Sequence, residues 1–309
     1  MPGRVLVLEP YYDLDEVRAV LAASDVTVEL AEEAAGEDVV GILVGPDQPV
    51  GAAEFERCPG LRAVATCSVG FDHIDVEAAA ERGVVVANVP DYCVEEMADS
   101  TIAMLLSLLR GIVVLDRTVR AGGWDDHAAG PLPRLRGTRL GIVGFGRIGR
   151  AVADRAIALG LEVLATDPVV PDERIEAAGA RPASLEELLG ACRAVTLHVP
   201  LSAGTDGLIG AAELGMLPQG AVLVNTARAR LVDMDAIAAA LESGRLAAAA
   251  FDVLPKEPPD ELPSAPNLVI TPHSAWFSPE AESAAYRRPV EAIREVLAGR
   301  EAGDRVRVA

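Results

Sequence analysis

Leu140-Gly141-Ile142-Val143-Gly144-Phe145-Gly146-Arg147-Ile148-Gly149-Arg150 reads as a short apolar strand, a turn carrying three glycines and the start of a helix that runs on to Leu159. The glycines stand in the spacing G-x-G-x-x-G. In this strand–turn–helix setting Gly144 permits the turn, Gly146 lets the backbone approach a pyrophosphate, and Gly149 lets the helix lie close to the strand. The helix start, at Arg147 and Ile148, turns amides toward an anion. The next strand, Glu162-Val163-Leu164-Ala165-Thr166, ends at Asp167, 18 residues past Gly149. A carboxylate there accepts hydrogen bonds from both ribose hydroxyls and repels a 2'-phosphate, and no Arg follows it directly. The expected cofactor is therefore NAD rather than NADP. A glycine turn kept for packing alone is the competing reading, and it leaves the acid unexplained.

Outward from this turn the chain alternates strands and helices throughout. Upstream, Val5–Leu8, Val26–Leu30, Val40–Val44, Leu61–Thr66 and Val84–Ala87 are short apolar runs. Helices are expected at Asp13–Ala22 and at Asp75–Arg82, the latter closed by Gly83. Downstream, strands are expected at Ala194–His198, Val222–Asn225, Ala248–Asp252 and Leu268–Ile270, and an amphipathic helix from Pro279 to Gly299. Apolar strands separated by helices imply parallel sheets with both faces covered. The expected fold class is α/β, with two doubly wound parallel-sheet domains of Rossmann or flavodoxin-like type. Val94 to Arg120 reads as one long helix, stopped by Gly122-Gly123, that joins the domains or packs on a second subunit. A linker from Gly130 to Gly137 follows it.

With 309 residues the chain exceeds one small core, and two domains are the natural expectation. A net charge of −20 argues against a nucleic-acid partner, because polyanions are held by clustered cations. Lys256 is the only lysine and no Walker glycine loop precedes it, which sets aside Schiff-base and P-loop chemistry. Cys58, Cys67, Cys93 and Cys192 have no metal or disulfide spacing and read as small buried apolar residues. No apolar run reaches membrane-spanning length and no signal-peptide layout opens the chain, so the expected location is cytoplasmic, with no membrane partner.

The chain has four histidines, His73, His127, His198 and His273. His273, in Thr271-Pro272-His273, follows an apolar strand at the carboxyl edge where parallel sheets place their chemistry, and suits proton transfer near neutral pH. Arg228 follows the strand Val222–Asn225, where a guanidinium can grip a carboxylate in a two-point fork. Glu257 follows the strand ending at Asp252, and a carboxylate bonded to His273 would orient its ring and raise its pKa. Each residue alone is equally compatible with a structural or solvated role. Their placement at successive strand ends is what favours a shared site.

These segments resemble the D-isomer-specific 2-hydroxyacid dehydrogenases. Gly144–Gly149, Leu197–Leu201, Val224–Arg228, Phe251–Pro258 and Thr271–His273 carry the resemblance, with Asn88–Pro90 and Glu95–Thr101, in order over nearly the whole chain. Val69–Asp75 and Pro272–Ser278 are similar to the branch of the C-terminal binding proteins. The resemblance implies a discontinuous substrate domain, 1–94 with 277–309, an NAD-binding domain at 95–276, and an active site in the cleft between them. It implies hydride transfer between NAD(H) and C2 of a small 2-hydroxy or 2-oxo acid. Arg228 would bind the substrate carboxylate and carbonyl, His273 would be the acid/base, and Glu257 would keep His273 protonated. Val69 and Gly70 would hold the other side of the carboxylate. Ser68, Thr101, His198, Val199, Pro200, Thr205, Thr226, Ala227 and Asp252 would contact the cofactor, and a homodimer is expected. His198 is then not a second base, and His127 is a surface residue.

Four points stay open at this level. The family usually carries Gly where this chain has Ala229, and a position needing φ > 0 would be strained by Ala. Trp276 is either a wall of the substrate pocket or an aromatic at a domain interface. The rival to an enzyme is an NAD(H)-sensing binding protein, with formate or phosphite oxidation as a more distant variant. Which acid is used is not readable, and with one lysine a phosphorylated one would need Arg or helix amides.

Overall fold

Ala194–Leu197 and Ala221–Asn225 are buried at every position, which is the pattern of strands covered on both faces. In the computed structural model, which describes residues 2–262, 265 and 267–303, the chain divides into two compact units, 1–92 with 278–309 and 93–277. The first holds β1 (Gly3–Val7), β2 (Val26–Leu30), β3 (Val39–Val44), β4 (Ala63–Thr66) and β5 (Val85–Ala87) in a parallel sheet of order β2-β1-β3-β4-β5. The second holds β6 (Arg139–Val143), β7 (Glu162–Thr166), β8 (Arg181–Pro182), β9 (Ala194–Leu197), β10 (Ala221–Asn225), β11 (Leu246–Phe251) and β12 (Leu268–Ile270). Its order is β12-β11-β10-β9-β6-β7-β8, all parallel. Both sheets are doubly wound, so the expected fold class holds. Each reverses strand order once, between β1 and β3 and between β6 and β9.

Alternation of side chains assigns each strand to two cores. In the second unit Leu140, Ile142, Val222 and Val224 face Ile102, Leu105, Val152 and Ala153. Val143, Val195, Leu197 and Leu223 face Leu188, Leu214 and Ile237 on the other side. Each such aliphatic side chain contributes roughly 1.5–3 kcal/mol on burial. In the first unit the helix Pro279–Leu297 returns to the sheet, burying Ile293 and Val296 with Val5, Val7 and Leu43.

Two readings need correction. Val94–Arg120 is not one helix: Val94–Leu109 and Ile112–Arg120 meet at 61°. Gly111 between them has φ +63, a left-handed residue through which a helix cannot continue. The two-residue edge strand β8 carries no apolar run to announce it, and its Pro182 is tolerated at a sheet edge. Among the described residues no single helix is long and apolar enough to cross a membrane. The four cysteines are buried and none is in a disulfide.

Candidate active site

Because the second sheet is parallel, every loop that follows a strand leaves from one edge. The turn after β6 is forced by its glycines. Gly144 has φ +96, and a Cβ there would lie 2.6 Å from the His198 carbonyl carbon. A Cβ on Gly149 would lie 2.1 Å from the Gly144 carbonyl oxygen, so the helix Arg147–Ala158 starts as close to β6 as backbone allows. Gly146 differs: a Cβ there would meet nothing within 4 Å. Open space over the first turn of a helix, whose amides have no partner within the helix, is what a pyrophosphate requires. Exposed Arg147 adds a cation at the same place. These residues fit a dinucleotide.

Asp167 ends β7 beside this turn. Its Oδ2 accepts the Phe145 N–H at 2.7 Å and its Oδ1 accepts those of Val169 and Val170 at 2.8 and 3.0 Å. The carboxylate is thus fixed by backbone donors, with a lone pair on Oδ2 remaining for a ribose hydroxyl. His198, at the end of β9, has an Nε2 shut off from solvent with no hydrogen-bond partner. Burial alone pushes its pKa down to about 4, so the ring is neutral near pH 7 and poorly suited to act as a base.

Arg228, Glu257 and His273 follow β10, β11 and β12, three adjacent strands. His273 Nδ1 lies 2.7 Å from Glu257 Oε2. That hydrogen bond raises the His273 pKa against the opposing cost of burial, with the Glu257 and Asp252 charges adding to it and Arg228 working against it. For Glu257, burial pushes upward, but the bonds from His273 and the Leu254 N–H, with the charges of His273 and Arg228, leave its pKa lowered. Each partner thus favours the charged form of the other. Arg228 is half-buried, with Nη1 donating to the Ala227 carbonyl at 2.9 Å, and stands close enough for its charge to act on both partners.

His273 itself has φ +51, uncommon for a residue with a Cβ. Its N–H donates to the Asp252 carbonyl at 2.9 Å. The Asp252 side chain, 1% exposed, accepts the Ser274 and Ala275 N–H groups at 2.9 Å each and the Thr271 hydroxyl. Asp252 therefore organises the turn that presents the histidine. The Trp276 indole N–H donates to the His273 carbonyl at 2.9 Å, and its ring meets Phe277 edge-on.

Asn225 was not singled out in the sequence, although it lies in a quoted segment. Fully buried at the end of β10, its amide donates to the Arg228 carbonyl at 2.8 Å and accepts the Ala227 N–H at 3.0 Å, fixing the loop that carries the arginine. Ala229 opens a 3-10 turn, Ala229–Leu231, and is not among the positive-φ residues, so a β-carbon there is unstrained. The buried hydroxyls of Thr101 and Thr226 bond to each other at 3.0 Å. Thr205 ties Pro200 to its own turn through the Pro200 carbonyl, at 2.6 Å, with Val199 half-buried just before it. His127 is exposed beside Asp126, and Lys256 pairs with Asp260. In the first unit, after β4, Ser68 donates to the Gly70 carbonyl at 2.6 Å and Asn88 to that of Val69 at 2.7 Å.

Residues 102–275 match the family described as D-isomer specific 2-hydroxyacid dehydrogenase, NAD binding domain. The chain is 34% identical over 305 residues to D-3-phosphoglycerate dehydrogenase of Methanocaldococcus jannaschii, covering 96% of this chain and 58% of that protein. It thus spans little more than half the length of that relative. Glycerate dehydrogenase of Methylorubrum extorquens is 35% identical over 262 residues, 82% of this chain and 81% of that protein. The crystal structure of D-lactate dehydrogenase from Aquifex aeolicus with NAD and lactic acid superposes with a TM-score of 0.87 at 25% identity, covering 96% of each chain. With a family match over residues 102–275 and this extent of identity, the chain belongs to the D-isomer specific 2-hydroxyacid dehydrogenase family.

Proposed function

We propose that this protein is an NAD-dependent oxidoreductase acting between a small 2-oxo acid and its D-2-hydroxy acid. The observation that carries the reading is the 2.7 Å pair of His273 and Glu257 beside the Arg228 guanidinium. NADH, when bound along the Gly144–Gly149 turn, supplies the hydride that C2 of the acid accepts. Arg228 holds the carboxylate and polarises the carbonyl in a charge-assisted fork. His273, with Nδ1 given to Glu257, uses Nε2 to deliver a proton to the carbonyl oxygen, or to take it back in oxidation. Glu257 keeps that proton on the ring at neutral pH, which favours reduction. Val69 and Gly70 are proposed as further carboxylate contacts, with Ser68, Thr101, His198, Val199, Pro200, Thr205, Thr226, Ala227 and Asp252 as the cofactor's surroundings and Trp276 beside the substrate.

NAD preference is supported by Asp167, whose carboxylate is already fixed by three amides and would be forced against a 2'-phosphate. A homodimer is supported by the helix Ile112–Arg120, which buries none of its residues and leaves Ile112 and Val119 about half exposed, followed by Trp124 at 91% exposure. We place the protein in the cytoplasm on the sequence reading. The relatives are dehydrogenases of phosphoglycerate, glycerate and lactate, so the panel of acids to test spans phosphorylated and unphosphorylated ones.

The test is NADH oxidation at 340 nm against a panel of 2-oxo acids, wild type beside His273→Ala. Turnover of one or more acids, reduced by two to four orders of magnitude in the variant, is expected. No turnover of any acid while NADH still binds would overturn the enzymatic reading. It would instead favour a nucleotide-sensing protein of the C-terminal binding protein kind.

A further inference from the structure

His273 occupies a left-handed backbone conformation that a β-carbon makes unfavourable. Something must hold it there: Asp252 takes the amides of His273 and of the two residues after it, and the His273 carbonyl has a separate partner. On the amino side the His273 N–H is taken by the Asp252 carbonyl, at 2.9 Å. Beyond it, the Ser274 and Ala275 amides are taken by the Asp252 carboxylate. The His273 carbonyl has a different partner, the Trp276 indole N–H at 2.9 Å. A tryptophan is a stiff donor with two rotatable bonds, and this ring is braced by Phe277, centroids 5.6 Å apart at 83°.

We propose that Trp276 is a positioning residue for His273: through the His273 carbonyl it holds the left-handed turn from which the imidazole reaches Glu257. This builds on the proposed reaction and adds to it a role the ring of Trp276 does not need as a pocket wall. The wall and the brace are separable because they use different parts of one side chain, the ring face and the N–H.

Trp276→Phe keeps an apolar ring and removes the donor. Trp276→His removes most of the wall and keeps a ring N–H. The first measurement is an NMR titration of the His273 ring in the cofactor-free protein, assigned by difference from His273→Ala; it needs no substrate. Glu257 and Asp252 raise the His273 pKa and Arg228 lowers it, so the titration reads how well the ring stays seated among them. In wild type it should titrate above the ordinary histidine value. In Trp276→Phe it should move back toward that value, and in Trp276→His part of the shift should return.

The second measurement is turnover of whichever acid the wild type accepts. The Phe variant should lose about 5- to 10-fold in kcat, the scale of one net hydrogen bond, with KM nearly unchanged and circular dichroism as for wild type. A His273 titration and kcat identical to wild type in Trp276→Phe, with only KM altered, would overturn the brace and leave the wall. Because the titration stands without turnover, failure of the brace is distinguishable from failure of the proposed reaction.

Discussion

The turn after β6 and the turn after β12 leave the same edge of one sheet and are built by opposite means. The first uses residues that lack side chains: Gly144 takes φ +96, Gly149 leaves no room for a methyl group, and Gly146 leaves space empty. The second puts a side-chain-bearing residue, His273, into φ +51 and holds it with bonds from Asp252 and Trp276. The difference follows from the ligand each serves. A pyrophosphate is recognised by backbone amides, so the chain must come close and side chains must be out of the way. A proton is exchanged by a side chain, so the backbone is bent to aim one and the bend is stabilised from outside. The first turn depends on residues without side chains, the second on partners that hold a side-chain-bearing residue in place, Asp252 across the sheet and Trp276 three residues on.

The largest effect that would sharpen this contrast is expected at Gly149. Its Cβ would strike the Gly144 carbonyl oxygen at 2.1 Å, so Gly149→Ala should destabilise the second unit by about 3 kcal/mol or more, read in thermal unfolding. Gly146→Ala, three residues away, should leave the melting temperature within about a degree or two, because its Cβ meets nothing. It should still weaken NADH binding by about 10-fold, roughly 1.4 kcal/mol. Equal stability losses in the two variants would break the assignment of that space to the cofactor.

A smaller effect is expected at the second turn. Glu257→Gln removes the charge that raises the His273 pKa and leaves only a neutral amide oxygen as a weaker acceptor for its Nδ1–H. The rate of reduction, which needs the protonated ring, should then fall off at lower pH than in wild type, as read in the kcat profile. Stability should respond with a definite sign. The raised histidine contributes fully below its ordinary value of about 6.5 and loses that contribution as pH rises through its folded value. The lowered Glu257 contributes above about 4.5 and loses it as pH falls through its folded value. The variant should lack both dependences, modestly, since the two side chains are 35% and 30% exposed. An unshifted profile would show that the pair does not set the protonation of the site. The smallest effect is expected for Ala229→Gly, which restores the residue usual in the family. With Ala229 unstrained in its 3-10 turn, activity should stay within about twofold and stability should drop by no more than about 1 kcal/mol. A marked gain in activity would mean that the arginine loop is strained after all.

The parts legible in the sequence are those where one residue type dictates local backbone or where a side chain simply follows a strand. Gly144, Gly146 and Gly149 announce the turn after β6, and Arg228, Glu257 and His273 are placed at strand ends by the apolar runs before them. Strand order was not legible, because β6 pairs with β9 as well as β7, and pairing between distant strands leaves no local mark. The bend at Gly111 was missed because a glycine in an apolar helical run is often tolerated, and only its left-handed φ ends the helix. Asn225 was passed over since its two bonds are to backbone within three residues, invisible in composition. The clamp of Asp252 on residues up to 23 positions away is likewise a product of β11 and β12 lying side by side.

On the proposed reaction one sheet edge divides its labour, the turn after β6 binding and the turn after β12 moving the proton. The most direct measurement is NADH affinity by fluorescence and turnover of the accepted acid, both made on His273→Ala and Gly146→Ala. A crossed result is expected: wild-type affinity with turnover lost by two orders of magnitude or more in the first, and weakened affinity with kcat largely kept at saturating NADH in the second. Parallel losses of affinity and turnover in both variants would contradict it.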